Sequence, residues 1–184
     1  MEAILKRMVF DDIKKYLHTD DIIVLHGERQ VGKTTILYHI REYLKKQGED
    51  TYFIDLEDSR FVRILDTGVA EFIRHLKEEG LLSPGRKRKI FVFIDEIQYL
   101  SDPSSFLKLT ADHHKNIKLI VSGSSSFVIK TKFKDSLAGR TVNFEQFNPT
   151  EVQYFNKHYG INKYKVIALN GKPKSEFYIY PWDA

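Results

Sequence analysis

The stretch His26-Gly27-Glu28-Arg29-Gln30-Val31-Gly32-Lys33-Thr34-Thr35 carries the spacing G-x-x-x-x-G-K-[ST] at Gly27, Gly32, Lys33 and Thr34. That spacing suits the binding of nucleotide phosphates. Two glycines let the backbone wrap with its N–H groups turned toward phosphate oxygens, and a helix beginning there adds its positive amino end. Lys33 is then within reach of the β- and γ-phosphates, and the Thr34 hydroxyl is placed to ligate Mg²⁺. Glu28, Arg29, Gln30, Val31 and Thr35 complete the loop around the nucleotide. Chance alone would produce the four fixed positions in about one chain in a hundred of this length. The apolar IIVLH before the loop and the amphipathic TTILYHIREYLKK after it make chance a poorer explanation.

A nucleotide hydrolase also needs an acid at the end of a neighbouring strand, and KIFVFIDEIQ offers Asp95 and Glu96. Asp95 is expected to hold the magnesium, directly or through water, and Glu96 to polarise the attacking water. Adjacent side chains of an extended segment point to opposite faces, so both acids reach one site only if the chain turns at the strand end. The plainer alternative is a pair of surface acids capping the next helix. Gln98 is open to two readings, water positioning or a helix surface.

Ser122, in KLIVSGSSS, ends a strand expected between the cradle and the acids, where a hydroxyl could sense the γ-phosphate or orient the water. Ser124 and Ser125 read as helix caps. Arg140, in SLAGRTVNF, is either a charge-neutralising arginine for phosphoryl transfer, in its own chain or a neighbour's, or the partner of a surface carboxylate. Asp58 reads as a helix N-cap, and Asp55 as a cap or loop residue in preference to one that lines the site.

Five apolar runs are suited to strands: 21–26, 51–56, 89–95, 118–123 and 141–147. Helical spacing fills the intervals at Thr34–Lys46, roughly Phe61–Glu79, Tyr99–His114 and a shorter stretch near Phe127–Leu137. Continuous apolar strands alternating with helices predict an α/β fold, a mainly parallel sheet covered on both faces. The expected organisation is an N-terminal helix over 1–20, a core over 21–148, and a partial lid or truncated extension over 149–184. In that extension Thr150–Tyr159 reads as a helix and Asn170-Gly171 as a hairpin turn.

The chain of 184 residues has 42% hydrophobic, 13% aromatic and 29% charged residues, the balance of a globular domain. Its net charge of +4 permits a DNA partner without arguing for one. The basic run Gly85–Lys89 reads as a solvated loop. With no cysteine, disulfides, zinc–thiolate sites and cysteine nucleophiles are excluded. No apolar run approaches the roughly 20 residues that span a bilayer, and the expectation is a cytoplasmic protein without a membrane partner.

Taken together, GERQVGKTTIL, YFIDLED, FIDEIQYL, LIVSGSSS, SLAGR and FNPTEVQYF resemble the prokaryotic ATPases of the AAA+ superfamily whose cores read G-x-R-Q-V-G-K-T-T. The resemblance covers roughly Asp21 to Phe155. It implies a P-loop ATPase core on a five-stranded parallel sheet, and it carries nucleotide roles onto Gly27, Gly32, Lys33, Thr34, Asp95 and Glu96, with Ser122 and Arg140 beside them. Family members continue into a carboxy-terminal domain of DNA-binding or nuclease-like character. Residues 161–184 do not look like that domain, so the expectation is a core without it.

The function expected is ATP binding and Mg²⁺-dependent hydrolysis that drives or gates a partner or a DNA-related process, with a homo-oligomer possible in which Arg140 acts in trans. The alternative is a nucleotide-gated switch with negligible turnover alone. A small-molecule kinase using Asp55 and Arg60 is disfavoured by the Asp95-Glu96 pair, since a kinase has no use for an activated water. A GTPase is disfavoured because no Asn-Lys-x-Asp follows the fourth strand.

Overall fold

Strands buried on both faces need apolar residues at consecutive positions, and the five apolar runs become five strands. They are β1 (Ile22–Gly27), β2 (Asp50–Asp55), β3 (Ile90–Asp95), β4 (Ile117–Ser124) and β5 (Thr141–Gln146). The structure is a computed structural model and describes residues 10–82, 88–124 and 137–146. The sheet runs β2-β3-β4-β1-β5 and every pairing is parallel. β4 therefore lies between the cradle strand and the acid strand, as the sequence predicts. The expected helix near Phe127–Leu137, apart from Leu137 itself, the loop Gly85–Lys87, the amino-terminal nine residues and the whole extension over 149–184 lie outside the described residues.

Alternate residues of each strand enter two separate cores. Ile22, Val24, Ile90, Val92, Ile94, Leu119 and Val121 pack on one face against Leu65, Phe72, Leu76, Phe106 and Leu107. Ile23, Leu25, Phe91, Phe93 and Ile120 pack on the other against Ile36, Leu37, Ile40, Leu44, Ile13 and Leu17. The helix after the cradle, α1 (Lys33–Lys46), covers this second face. The first face is covered by α2 (Ser59–Thr67), α3 (Val69–Glu78) and α4 (Pro103–His113). Each strand side chain so buried contributes about 1.5–3 kcal/mol, and burial on both sides is what fixes the register.

Two expected helices differ from the sequence reading. The helix expected from Phe61 to Glu79 is broken at Gly68, whose φ of 123° a residue with a side chain rarely adopts, so α2 and α3 are separate helices. The helix expected from Tyr99 instead starts at Pro103, with the Asp102 carboxylate accepting from the Ser105 N–H, and residues Ile97–Tyr99 form a separate 3₁₀ turn. Among the described residues no helix is long and apolar enough to cross a membrane.

The amino-terminal edge of the sheet is held by a buried charge. Lys118, on β4, is 2% exposed, and its Nζ donates to the carbonyls of Thr19 (2.9 Å) and Asp21, binding the segment before β1 to the neighbouring strand. Burial lowers its proton affinity to about 8 from the ordinary 10.5; Lys89 acts in the same sense, and Asp21 and Asp20 oppose. The unfolded chain thus holds more protons than the folded one between those limits. The contribution to stability is smallest below pH 8, rises through the window and is complete above 10.5. At about 1.36 kcal/mol per unit, the stability of the wild type relative to Lys118→Met is expected to grow by about 3 kcal/mol across it. Urea midpoints at both ends measure this, and a constant difference would show that the amine is not desolvated.

Candidate functional site

The cradle loop leaves the carboxyl end of β1 at Gly27 and closes into α1 at Lys33. Two residues in it are left-handed, Gln30 (φ 64°) and Gly32 (φ 91°, ψ 22°). Such alternations curl a backbone into an anion-binding concavity. Gly32 starts the helix, its carbonyl accepting from the Ile36 N–H at 3.1 Å. Glu28, Arg29 and Gln30 are exposed on the loop, Val31 is half-buried, and Thr34 and Thr35 are exposed on the first turn of α1.

Lys33 is 4% exposed, and its Nζ donates to the carbonyls of Gly27 (3.1 Å) and Glu28 (2.7 Å). Burial lowers the proton affinity of this amine. The carboxylates of Glu96 and, less strongly, Asp95 act in the opposite sense, and Arg29 acts with burial. The lysine and both acids therefore stand close enough to sense one another's charge.

The turn that the acid pair requires is present. Asp95, 3% exposed, ends β3, and Glu96 follows with φ 57° and ψ 48°, a left-handed conformation costly for a residue with a side chain. That reversal breaks the strand alternation. The Glu96 N–H donates to Asp95 Oδ1 (3.2 Å) and lies 3.3 Å from Ser122 Oγ. Glu96 makes no side-chain cap to the following 3₁₀ turn, so it is not acting as a helix cap there.

β4 supplies the other half. Ser122 is fully buried, pairs with Leu25 of β1, and donates its hydroxyl to Asp95 Oδ1. Its hydroxyl is thus committed to the carboxylate. Two residues on, Ser124 pairs with Gly27 at the mouth of the cradle, and its N–H donates to Gln98 Oε1 at 3.1 Å. Gln98 Nε2 donates to the Glu96 carboxylate. The sequence left Gln98 between two roles and pointed to neither contact, because both partners come from the way the strands pair.

Arg140 is the one site residue that stands apart. It precedes β5 at the amino-terminal edge of the sheet, where its carbonyl accepts from the Ile22 N–H (2.7 Å). Its guanidinium holds Asp112 of α4, Nε to Oδ1 at 2.8 Å, and holds that carboxyl below its ordinary value. The length of β1 separates it from the cradle of its own chain, about 17 Å at roughly 3.3 Å per residue. The kinase residues are engaged locally: Asp55 accepts from the Glu57 N–H, and Arg60 is bound to the N-cap Asp58, which it holds at about 2.

Residues 19–155 match the profile described as an AAA domain. An uncharacterized protein of Methanocaldococcus jannaschii is 30% identical, the alignment covering 90% of this chain and 36% of that one. The chain spans about a third of the length of the curated relatives it matches. Among solved structures, AMPPCP-bound DnaA from Aquifex aeolicus superposes with a TM-score of 0.50 at 15% identity, covering 86% of this chain and 53% of that one. The Drosophila ORC bound to AT-rich DNA and Cdc6 gives 0.50 at 18% identity, with 80% and 56% covered. Likeness at these identities speaks for the fold alone. The profile match, in contrast, takes in every strand of the sheet and both acids at the end of β3, and by it the chain belongs to the AAA domain family, with the fold of the AAA+ P-loop ATPases.

Proposed function

We propose that this chain binds ATP with Mg²⁺ at Gly27–Thr34 and hydrolyses it, with Glu96 as the base. The observation that carries this is the turned strand end. Glu96 leaves β3 in a left-handed conformation and its carboxylate is sensed by Lys33 ahead of that of Asp95. A water oxygen bonds to the γ-phosphorus as Glu96 takes its proton, the β–γ bridging bond breaks, and ADP leaves with that electron pair. Gly27, Gly32 and the loop residues between them hold the phosphates through the backbone, Lys33 exchanges its carbonyl partners for phosphate oxygens, and Thr35 closes the first turn of α1. Residues 21–148 form the core in this reading.

The donor set suits Mg²⁺. That ion takes one or two protein oxygens and fills its remaining positions with water and phosphate oxygens. The Asp95 carboxylate and the Thr34 hydroxyl would hold it. Among the described residues no cluster of three or more His, Cys, Asp or Glu side chains forms, and a phosphate-completed site has no need of one. When bound, the ion neutralises charge on the phosphate oxygens. Ser122 holds Asp95 in place for it; any reading of the γ-phosphate by Ser122 runs through that carboxylate. Glu96→Gln is expected to leave ATP affinity within about threefold and to lower turnover by 100-fold or more, within the range that general-base removal produces. Unchanged turnover in a steady-state phosphate-release assay would remove Glu96 from the role.

Arg140 enters this scheme only from a second copy. Its side chain is 40% exposed and faces away from its own cradle, so a role on the γ-phosphate means an assembly that brings one subunit's sheet edge to the next subunit's cradle. Specific turnover is then expected to rise with protein concentration, and Arg140→Ala to abolish the rise. Strictly linear turnover that survives Arg140→Ala would leave the residue as the partner of Asp112.

Use of the ATP is proposed to be the gating of a partner or of a DNA-related step. The DNA-bound state named for the Drosophila complex supports it by analogy, on the strength of a shared fold. Coupling is reciprocal, so ATP affinity is expected to change by fivefold or more when duplex DNA is added. Identical affinities with and without DNA would favour a protein client.

A further inference from the structure

We infer that Gln98 is a positioning residue, a two-ended clamp that fixes the Glu96 carboxylate relative to the end of β4 and thereby to the mouth of the cradle. The inference rests on the hydrolytic role proposed for Glu96.

The orientation of the Gln98 amide is dictated by its partners. At one end stands the backbone N–H of Ser124, which can only donate, so it must face Oε1, and it does so at 3.1 Å. At the other stands the Glu96 carboxylate, which in its ionised form can only accept, so it must face the NH₂ group. A flipped amide would lose both bonds. Ser124 in turn pairs with Gly27, the first residue of the cradle. One half-buried side chain therefore links the acid strand, the inserted strand and the start of the phosphate loop. Glutamine has the length for this, spanning from the 3₁₀ turn Ile97–Tyr99 to both partners.

The clamp addresses a specific difficulty. A glutamate side chain has three rotatable bonds, and a general base must stand within about 2.6–3.2 Å of the proton it removes. The left-handed backbone sets the direction in which Glu96 departs. Gln98 then restricts where the carboxylate comes to rest, while leaving one of its oxygens for a water.

Turnover and binding separate this role from a purely structural one. Gln98→Met keeps the length and loses both bonds; Gln98→Glu keeps an acceptor for Ser124 but sets a second carboxylate against Glu96. Both are expected to lower the turnover number tenfold or more while the ATP dissociation constant stays within threefold. Wild-type turnover in both variants would overturn the inference. The contact is tested independently of turnover by a thermal-denaturation cycle. Gln98→Glu is expected to lower Tm, and adding Glu96→Gln, which restores a donor and an acceptor with their roles exchanged, to recover most of the loss. Tm shifts that simply add would overturn the clamp. The Glu96→Gln single variant distinguishes the two failures. If it abolishes turnover while the Gln98 variants retain theirs, the clamp alone is wrong; if it retains turnover, the base assignment falls and the clamp's role with it.

Discussion

The parallel hydrogen bonding of β4 to both β1 and β3 sets where the strand-borne groups of the site stand. Register places Ser122 beside Leu25 and Ser124 beside Gly27, while Ile94 pairs with Val121. Asp95 thus ends one strand beyond a hydroxyl that can reach it, and the cradle opens one strand further on. No loop makes these placements. They follow from two apolar cores that lock the sheet from above and below, since a shift of one residue would turn the apolar set of each strand to the wrong face. A site built on strand ends in this way inherits the rigidity of the core.

That rigidity matters because the site buries charge. Lys33 and Asp95 are both under 5% exposed, and each is satisfied locally, the amine by two carbonyls and the carboxylate by a hydroxyl and an N–H. A buried charge without such partners would cost several kcal/mol. At the far edge Lys118 repeats the pattern with the carbonyls of Thr19 and Asp21. The sheet therefore carries buried ammonium groups at both ends, one serving attachment of the amino-terminal segment and the other held by carbonyls of the loop that follows β1.

Much of this was legible in the sequence, and the reason differs from part to part. Strands emerged within a residue or two of their bounds because burial on both faces writes an uninterrupted apolar run. The place of β4, between the cradle strand and the acid strand, was expected from those two motifs, whereas the positions of β2 and β5 were not. The helix break at Gly68 and the restart at Asp102-Pro103 carried local signals that a long apolar periodicity concealed. The geometry of the site was less visible. Nothing in the string FIDEIQ says that Glu96 is left-handed or that Gln98 reaches Ser124, twenty-six residues away, because those facts belong to the pairing of strands rather than to any short segment. Arg140 was ambiguous for the same reason: its motif says arginine near a strand, and only the direction of that strand says which edge.

The left-handed glutamate has a consequence for how the chain could change over time. At φ 57° and ψ 48°, glycine or asparagine would sit with less strain than glutamate, by about 1–2 kcal/mol for glycine. Random drift that favoured folding alone would replace the acid at this position. On the reading that makes Glu96 the base, that strain is carried in the folded chain for the sake of the chemistry. A descendant released from that chemistry would be expected to lose the glutamate early and to become sturdier for it.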